Sequence, residues 1–335
     1  MKSYLDRKSV LVDKFKNKEI SKGQFLMDKA GLDASIKNTT RDMRKLGLES
    51  MIFDKANNKL EQLDARSVRN VINRGGTFLK TARSDEFRTV EGRKKAHANL
   101  VAAGVDSLVV IGGDGSFTGA LKLSEEFDFP VIGIPGTIDN DINGTDYTIG
   151  YDTALNTVVD AIDKIRDTAS SHNRLFFVEV MGRDAGDIAL NAGIGAGAEE
   201  ILIPEEDLGV DRLLESLQKS RKSGKTSSII VVAEGDKLGK NIFELSEYVK
   251  DNTEGYDIRV SVLGHIQRGG PPSCYDRVLA SKLGVGAVES LIKGERDVMI
   301  GIVHKKVTLV PLQVALTKRS HKHDDLIRVA DITSI

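Results

Sequence analysis

Cysteine is almost missing from this sequence: Cys274 is the only one in 335 residues. A single thiol allows no internal disulfide and no cysteine-rich zinc site. A surplus of either charge is missing too. Lys and Arg number 48 against 49 Asp and Glu, for a formal net charge of −1. No bulk positive field attracts nucleic acid or an anionic membrane, so an anionic ligand has to be held by local basic clusters. Long apolar runs are also lacking, and none approaches an uninterrupted transmembrane helix. Met1 to Ile20 is charged throughout and has no apolar core of the signal-peptide kind. A cytoplasmic location is the simplest expectation. Trp is absent as well, which decides nothing. What is present is ordinary for a globular chain, 40% apolar and 29% charged. The length suffices for two lobes, each with its own core.

From Ser107 onward, short β-branched runs alternate with amphipathic segments. The runs are Ser107 to Ile111, Pro130 to Ile134, Leu175 to Val180, Glu200 to Ile203, Ser228 to Ala233 and Val298 to Val303. Their continuous apolar character suits parallel strands covered on both faces. Between them, Tyr151 to Ala169 sets Ala154, Leu155, Val158, Val159, Ile162 and Ile165 on one helical stripe, and Tyr275 to Lys293 reads similarly. The alternation predicts an α/β fold of mainly parallel sheets flanked by helices. Lys219 to Lys225 reads as a surface turn. Asp33 to Leu46 can form a helix stopped by Gly47.

Ligands of such sheets bind beyond the carboxyl ends of the strands. Polar glycine loops follow four of the runs: Gly112 to Ser116, Pro135 to Asp141, Met181 to Arg183, and Glu234-Gly235. The first opens a helix. Its glycines let backbone approach a phosphate, and the helix start offers unpaired N–H groups. Asp114 would repel phosphate unless a cation intervened, so it is a candidate partner of nucleotide-bound Mg²⁺. A plain Asp-Gly turn reads the same way. In the second loop Thr137, Asp139 and Asp141 are spaced two apart and can face one side of an extended turn. A hydroxyl beside carboxylates suits phosphate contact plus proton abstraction; a capping or turn role is the alternative. Arg166, Arg174, Arg183, Arg259 and Arg268, with His172 and His265, could hold phosphate. Among these, His265 to Gly270 stands out because it follows an apolar run and is punctuated by glycine. His97, His304, His321 and His323 read as surface or structural residues.

Together these motifs resemble the bacterial ATP-dependent 6-phosphofructokinase family. The resemblance runs from about Leu63 to the C-terminus, through Asn73 to Thr77, Thr81 to Arg83, Gly112 to Ser116, Pro135 to Asp141, Met181 to Arg183, Glu234 and His265 to Gly270. It implies phosphorylation of fructose 6-phosphate at its 1-hydroxyl by Mg-ATP, in glycolysis. Asp139 is then the general base, with Thr137 and Arg183 beside the transferred group. Arg83, Ser84, Gly113, Asp114, Gly115 and Ser116 would bind ATP, with Asp114 associated with Mg²⁺. Thr137, Ile138, Asp139, Met181, Gly182, Arg183 and Glu234 would line the sugar site. His265, Ile266, Gln267 and Arg268 would receive the 6-phosphate. Arg174 and Arg259 would serve a neighbouring subunit, which implies a homotetramer. Gly115 and Gly136 resemble the ATP-using branch, because larger residues stand there in pyrophosphate-using relatives. Lys37, Arg41, Arg166, Gly197, Glu199 and Lys225 match an ADP effector site. The implied lobes are 1–150 with about 267–315 for nucleotide, and 151–266 with about 316–335 for sugar phosphate.

The N-terminal region departs from the family pattern. Met27 stands where a nucleotide-contacting glycine is expected, and Phe53 is the aromatic nearest an expected Tyr. A Met side chain does not permit the same close backbone approach. Weak ATP binding and a catalytically impaired or regulatory paralogue are both open on this ground. A kinase acting on NAD or a lipid shares the Gly-Asp-Gly loop, but it does not explain Pro135 to Asp141 together with His265 to Gly270.

Overall fold

The computed structural model of the protein describes residues 68–169, 174–206, 209–224, 228–239, 241–319 and 323–333. In chain order these form α1 (Val90–Ala102), β1 (Leu108–Gly112), α2 (Asp114–Phe127), β2 (Val131–Thr137), β3 (Ile149–Gly150) and α3 (Tyr151–Ala169). Then come β4 (Arg174–Val180), α4 (Asp187–Gly195), β5 (Glu200–Leu202), α5 (Gly209–Lys222), β6 (Ser228–Ala233), α6 (Ile242–Asn252) and β7 (Asp257–Val262). The chain continues through a 3₁₀ turn (Gly264–Arg268) to α7 (Cys274–Lys293), β8 (Val298–Val303), β9 (Lys306–Pro311), α8 (Leu312–Ala315) and α9 (Asp324–Thr333). Met27, Phe53, Asp33 to Gly47, Lys37, Arg41, His172, Lys225 and His321 lie outside the described residues.

Two sheets result. The first runs β1-β2-β8-β9, with β3 on β2; the second runs β5-β6-β4-β7. Every pairing is parallel except β8 with β9. All six apolar runs form strands. Ser228–Ala233 is buried at every position, as expected of a strand covered on both faces. The predicted helix stripe also forms: Ala154, Val158 and Ile162 are fully buried in the core of the second sheet. Burying each large aliphatic side chain there contributes about 1.5–3 kcal/mol.

One local reading needs correcting, and two strand features carried no signal beforehand. The antiparallel strand β9 was not expected. It returns through a two-residue turn whose central residues, His304 and Lys305, both take positive φ (49° and 66°). Such turns normally announce themselves by Asn-Gly or Asp-Gly, and here His304-Lys305 stands in their place. Strand β7, at the edge of its sheet, begins at Asp257, before its apolar residues, and its polar Asp257 and Arg259 hid that start. Lys219–Lys222 is not a surface turn but the last turn of α5, where cations favour the helix dipole.

The two sheets are tied together behind the loops. Asp276, buried on α7, accepts hydrogen bonds from Gly150 N at 2.9 Å and Thr153 N at 2.8 Å. It thereby fixes the start of α3 against a helix that packs on β2 and β8.

Candidate active site

Strand β1 ends at Gly112, which pairs with Pro135, two residues before its neighbour β2 ends at Thr137. The loops that follow therefore leave the sheet side by side. A Cβ added to Gly113 would lie 3.5 Å from Thr137 Cβ, so the two loops are in contact. Gly113 is the N-cap of α2 and has no side chain to offer the first turn. That leaves the helix start in the state that binds anions. Asp114 and Ser116 are exposed there, and a Cβ on Gly115 would meet nothing within 4 Å.

The Pro135 to Asp141 loop is tightly built. Thr137 Oγ1 accepts a hydrogen bond from Asp139 N at 3.2 Å. Asn140 is buried and takes the left-handed conformation, φ 53°. Asn tolerates this better than most residues do. Asn140 Oδ1 accepts from Thr148 N at 3.0 Å, and its Nδ2 donates to Asp187 Oδ1 at 3.2 Å. The carboxylates flank this fixed point. Asp139 Oδ1 is buried without a hydrogen-bond partner among the described residues. Burial pushes the Asp139 carboxyl above the usual range, opposed by its contact with Thr137 and by the Arg268 and Arg183 guanidiniums. Asp141 is also raised, first by burial and then by Asp139 beside it.

Arg183 comes from the other sheet. It follows β4, takes φ 58°, and donates its backbone N–H to Glu234 Oε1 at 2.8 Å. A Cβ on Gly235 would lie 2.1 Å from the Arg183 carbonyl oxygen, so only glycine fits that crossing. Arg183 Nη1 stands 3.6 Å from Asp141 Oδ2 and bridges the two sheets. Its side chain is 58% exposed, and such a pair contributes roughly 0–1 kcal/mol. The guanidinium can therefore exchange Asp141 for an incoming anion at little cost. On the neighbouring 3₁₀ turn, buried Gln267 accepts from Met181 N at 3.2 Å through Oε1, and Arg268 Nε lies 3.4 Å from Met181 Sδ. His265 and Ile266 are exposed on the same turn, and Gly182 is held at φ 142°.

Thr137, Ile138, Asp139, Met181, Gly182, Arg183, Glu234, Gln267 and Arg268 thus lie on loops at the carboxyl ends of β2, β4, β6 and β7, where such sheets bind ligands. Gly113 to Ser116 adjoins them at the end of β1. Arg83 is exposed just before a short 3₁₀ turn (Glu86–Arg88), and Ser84 Oγ accepts from Phe87 N of that turn at 3.2 Å. The structure does not bring Arg174 and Arg259 into the same cluster. They flank Asp257 at the far end of the sheet, with Arg174 Nε 3.2 Å and Arg259 Nη1 2.7 Å from its carboxylate. The six residues from Leu175 to Val180 separate Arg174 from Met181, about 20 Å of strand.

A second basic group forms elsewhere. Arg166 donates to the carbonyls of Ala196 and Gly197 at 2.8 and 2.7 Å and stands 3.6 Å from Glu199. Arg166, Gly197 and Glu199 are thus neighbours.

The histidines divide. His97 stacks on Phe127 with ring centroids 4.9 Å apart, and His304 lies in the β8–β9 turn. His323, expected to be surface or structural, is buried beside Asp187 and Glu205 at 3.6 and 3.8 Å. Sequence reasoning missed Asp187 and Arg319, whose partners are remote along the chain. Arg319 Nη1 donates to the Asn140 carbonyl at 2.5 Å.

Two parallel-sheet units meeting at loops rich in Gly, Asp and Arg define an α/β enzyme with a carboxylate–guanidinium site between its sheets. The chain belongs to the phosphofructokinase family: the model of the family described as Phosphofructokinase matches residues 27–291. It is 48% identical to ATP-dependent 6-phosphofructokinase 2 of Bacteroides thetaiotaomicron over 313 residues, 92% of this chain and 96% of that one. It is 49% identical to ATP-dependent 6-phosphofructokinase 1 of Thermus thermophilus, covering 92% of this chain and 97% of that one. With the Bacillus subtilis ATP-dependent 6-phosphofructokinase it shares 52% over 285 residues, 84% and 88% of the two chains. Among solved structures, Saccharomyces cerevisiae phosphofructokinase superposes with a TM-score of 0.69 at 36% identity, covering 82% of this chain. The chain spans only 39% of that yeast chain.

Proposed function

We propose that the protein transfers the γ-phosphoryl group of ATP to the 1-hydroxyl of fructose 6-phosphate, yielding fructose 1,6-bisphosphate in glycolysis. One observation carries the assignment of roles: Asp139 holds a buried carboxylate oxygen with no hydrogen-bond partner among the described residues, two residues from Thr137 and within electrostatic reach of Arg268 and Arg183. A carboxylate so placed can take the hydroxyl proton as the oxygen meets phosphorus. Its raised basicity suits that transfer. Arg183 spans both sheets and can move from Asp141 to the transferred phosphoryl group, where charge neutralisation does most of the catalytic work. Thr137 lies beside the same group.

The donor is read as Mg-ATP. Gly113, Gly115 and Ser116 present a helix start to its phosphates, and the open space over Gly115 leaves room for them. Arg83 and Ser84, from the segment before α1, are assigned to the same nucleotide. Asp114 offers hard carboxylate oxygens of the kind Mg²⁺ prefers. When bound with the nucleotide, the ion would neutralise phosphate charge; the residues assigned to it are oxygen donors only.

On the acceptor side, Ile138, Met181, Gly182 and Glu234 line the sugar, and His265, Ile266, Gln267 and Arg268 receive its 6-phosphate. Arg174 and Arg259 point to assembly. They sit on the far end of β4 and on edge strand β7, suited to a neighbouring copy's site rather than their own, and a homotetramer is the reading. Arg166, Gly197 and Glu199 form the core of an ADP effector site, with Lys37, Arg41 and Lys225 assigned to complete it. The nucleotide lobe is 1–150 with about 267–315, and the sugar-phosphate lobe is 151–266 with about 316–335. A cytoplasmic setting follows from glycolysis, and no described helix is long and apolar enough to cross a membrane.

The test is a coupled assay of fructose 1,6-bisphosphate formation, with ATP and then pyrophosphate as donor. ATP-dependent turnover abolished by Asp139→Asn is the expected result. No turnover with either donor, under saturating fructose 6-phosphate, would sink the reading.

A further inference from the structure

Arg319 and His323 lie beyond the last strand, far along the chain from every reacting group. Yet Arg319 touches the catalytic loop directly, and His323 reaches it through Asp187. Arg319 Nη1 donates to the carbonyl oxygen of Asn140, the residue between Asp139 and Asp141. Asn140 also reaches forward along the chain, since its Oδ1 holds Thr148 N and its Nδ2 donates to the Asp146 carbonyl at 3.3 Å. Its remaining Nδ2 partner is Asp187 Oδ1 at 3.2 Å, at the first residue of α4. Asp187 is buried, and its other oxygen is 3.6 Å from His323 Nε2. His323 is anchored in turn by Glu205 at 3.8 Å, and Glu205 accepts from Gly186 N at 2.9 Å. The Tyr151 hydroxyl donates to the Asp187 carbonyl at 3.2 Å.

A left-handed Asn is held only where its surroundings determine it. Among the described residues its surroundings include Thr148, the Asp146 carbonyl, the Arg319 guanidinium and the buried Asp187 carboxylate, which His323 approaches in turn. Without the His323 cation, Asp187 would be a buried carboxylate with less compensation, and such charges tend to be expelled or neutralised. Either response releases Asn140 Nδ2.

We infer that Arg319 and His323 are positioning residues for phosphoryl transfer: they hold Asn140, directly and through Asp187, in the turn that aims Asp139 at the acceptor hydroxyl. The inference rests on the reading of Asp139 as the base, and it adds a control point that touches neither substrate. It also makes turnover sensitive to alkali. Among the described residues, the charged groups facing His323 are Asp187 on α4 and Glu205 after β5, and Arg319 is within electrostatic reach of Asp187. Pairing with Asp187 and then Glu205 outweighs burial and raises the imidazole to about 9. The folded state thus binds the proton more tightly than the unfolded chain. The stabilisation is whole below the ordinary histidine range and is lost as pH rises through about 9.

The test uses the full chain and the variants His323→Gln, His323→Lys and Arg319→Lys. His323→Gln should lower kcat by roughly ten- to a hundredfold, the scale of a small misalignment of reacting atoms, with KM for ATP nearly unchanged. Its alkaline limb near the His323 transition should vanish. His323→Lys keeps a cation and should restore most of the rate while moving that limb upward. Should His323→Gln fail to fold, His323→Lys and Arg319→Lys carry the decision. Hydrogen exchange at amides 138–148 supplies a readout apart from turnover, and faster exchange in Arg319→Lys than in the parent is expected. An inactive parent chain with normal loop protection would overturn the kinase reading alone. Unchanged kcat, pH limb and loop exchange in the variants would overturn this inference alone. A divalent ion retained on dialysis and lost in His323→Gln would also overturn it, because His323 would then be a neutral ligand rather than a cation.

Discussion

The two sides of the active site are built differently. The acceptor side is cross-linked from four directions: Thr137 to Asp139, Asn140 to Asp187 and Arg319, Arg183 to Glu234, and Gln267 to Met181. The donor side is a bare helix start, with Gly115 facing open space and Asp114 and Ser116 exposed. The contrast follows from what each must do. The base must be aimed at one hydroxyl, whereas a phosphate chain can be gripped by backbone N–H groups that are already aligned by a helix. An acceptor side built this way cannot tolerate loss of its central carboxylate. A donor side built this way should tolerate folding changes but not added charge.

The largest effect should therefore come from Asp139→Asn. The Asn side chain fits but takes no proton, so kcat should fall by about 10²–10⁴-fold, the range attributed to a positioned base. Fructose 6-phosphate KM should change little, and steady-state kinetics in the coupled assay would show it. A fall of less than tenfold would mean that positioning and charge, not the base, carry the site.

Gly115→Asp comes next and probes the other side. A Cβ there meets nothing within 4 Å, so folding should be little disturbed. A carboxylate about 4 Å from a phosphate costs roughly 4 kcal/mol at a surface-like dielectric. ATP KM should rise at least tenfold while the thermal midpoint and the fructose 6-phosphate KM hold. A matched loss of stability would show that the donor loop is packed after all.

The same contrast explains what could be read beforehand. The six apolar runs all became strands because continuous β-branched character is a local signal. The loops were legible because glycine and Asp after such runs carry their own chemistry. Asp187, Arg319 and His323 gave no such signal. Each looks like an ordinary charged residue until the fold sets it against Asn140. The Asp257 pair with Arg174 and Arg259 was hidden in the same way, since register across β4 and β7 makes it.

A smaller effect should appear in the pH profile. Asp139 must be ionised to act, and burial raises its carboxyl above the ordinary value of 3.8. As pH falls, the folded enzyme takes up this proton before an exposed carboxylate would. The acid limb of kcat/KM should consequently lie above the ordinary carboxylate range. A limb at or below it would place water at Asp139 Oδ1.

The smallest effect concerns stability and has the opposite sign to the first. A carboxyl raised by folding disfavours the folded state wherever it is ionised; the penalty fades as pH falls through the raised value. Asp139→Asn removes that penalty at neutral pH and leaves an amide where an unpartnered charged oxygen stood. Its thermal midpoint at pH 7 should exceed the parent's. A gain of about 1 kcal/mol corresponds to roughly 2–4 °C for a domain of 150–250 residues. The difference should shrink toward pH 4, where the parent carboxyl is itself increasingly neutral. Activity and stability then oppose each other at one atom, as expected where a site holds a group that folding alone would not choose. Equal midpoints at pH 7 would mean that the acceptor side is no better sealed from water than the donor side.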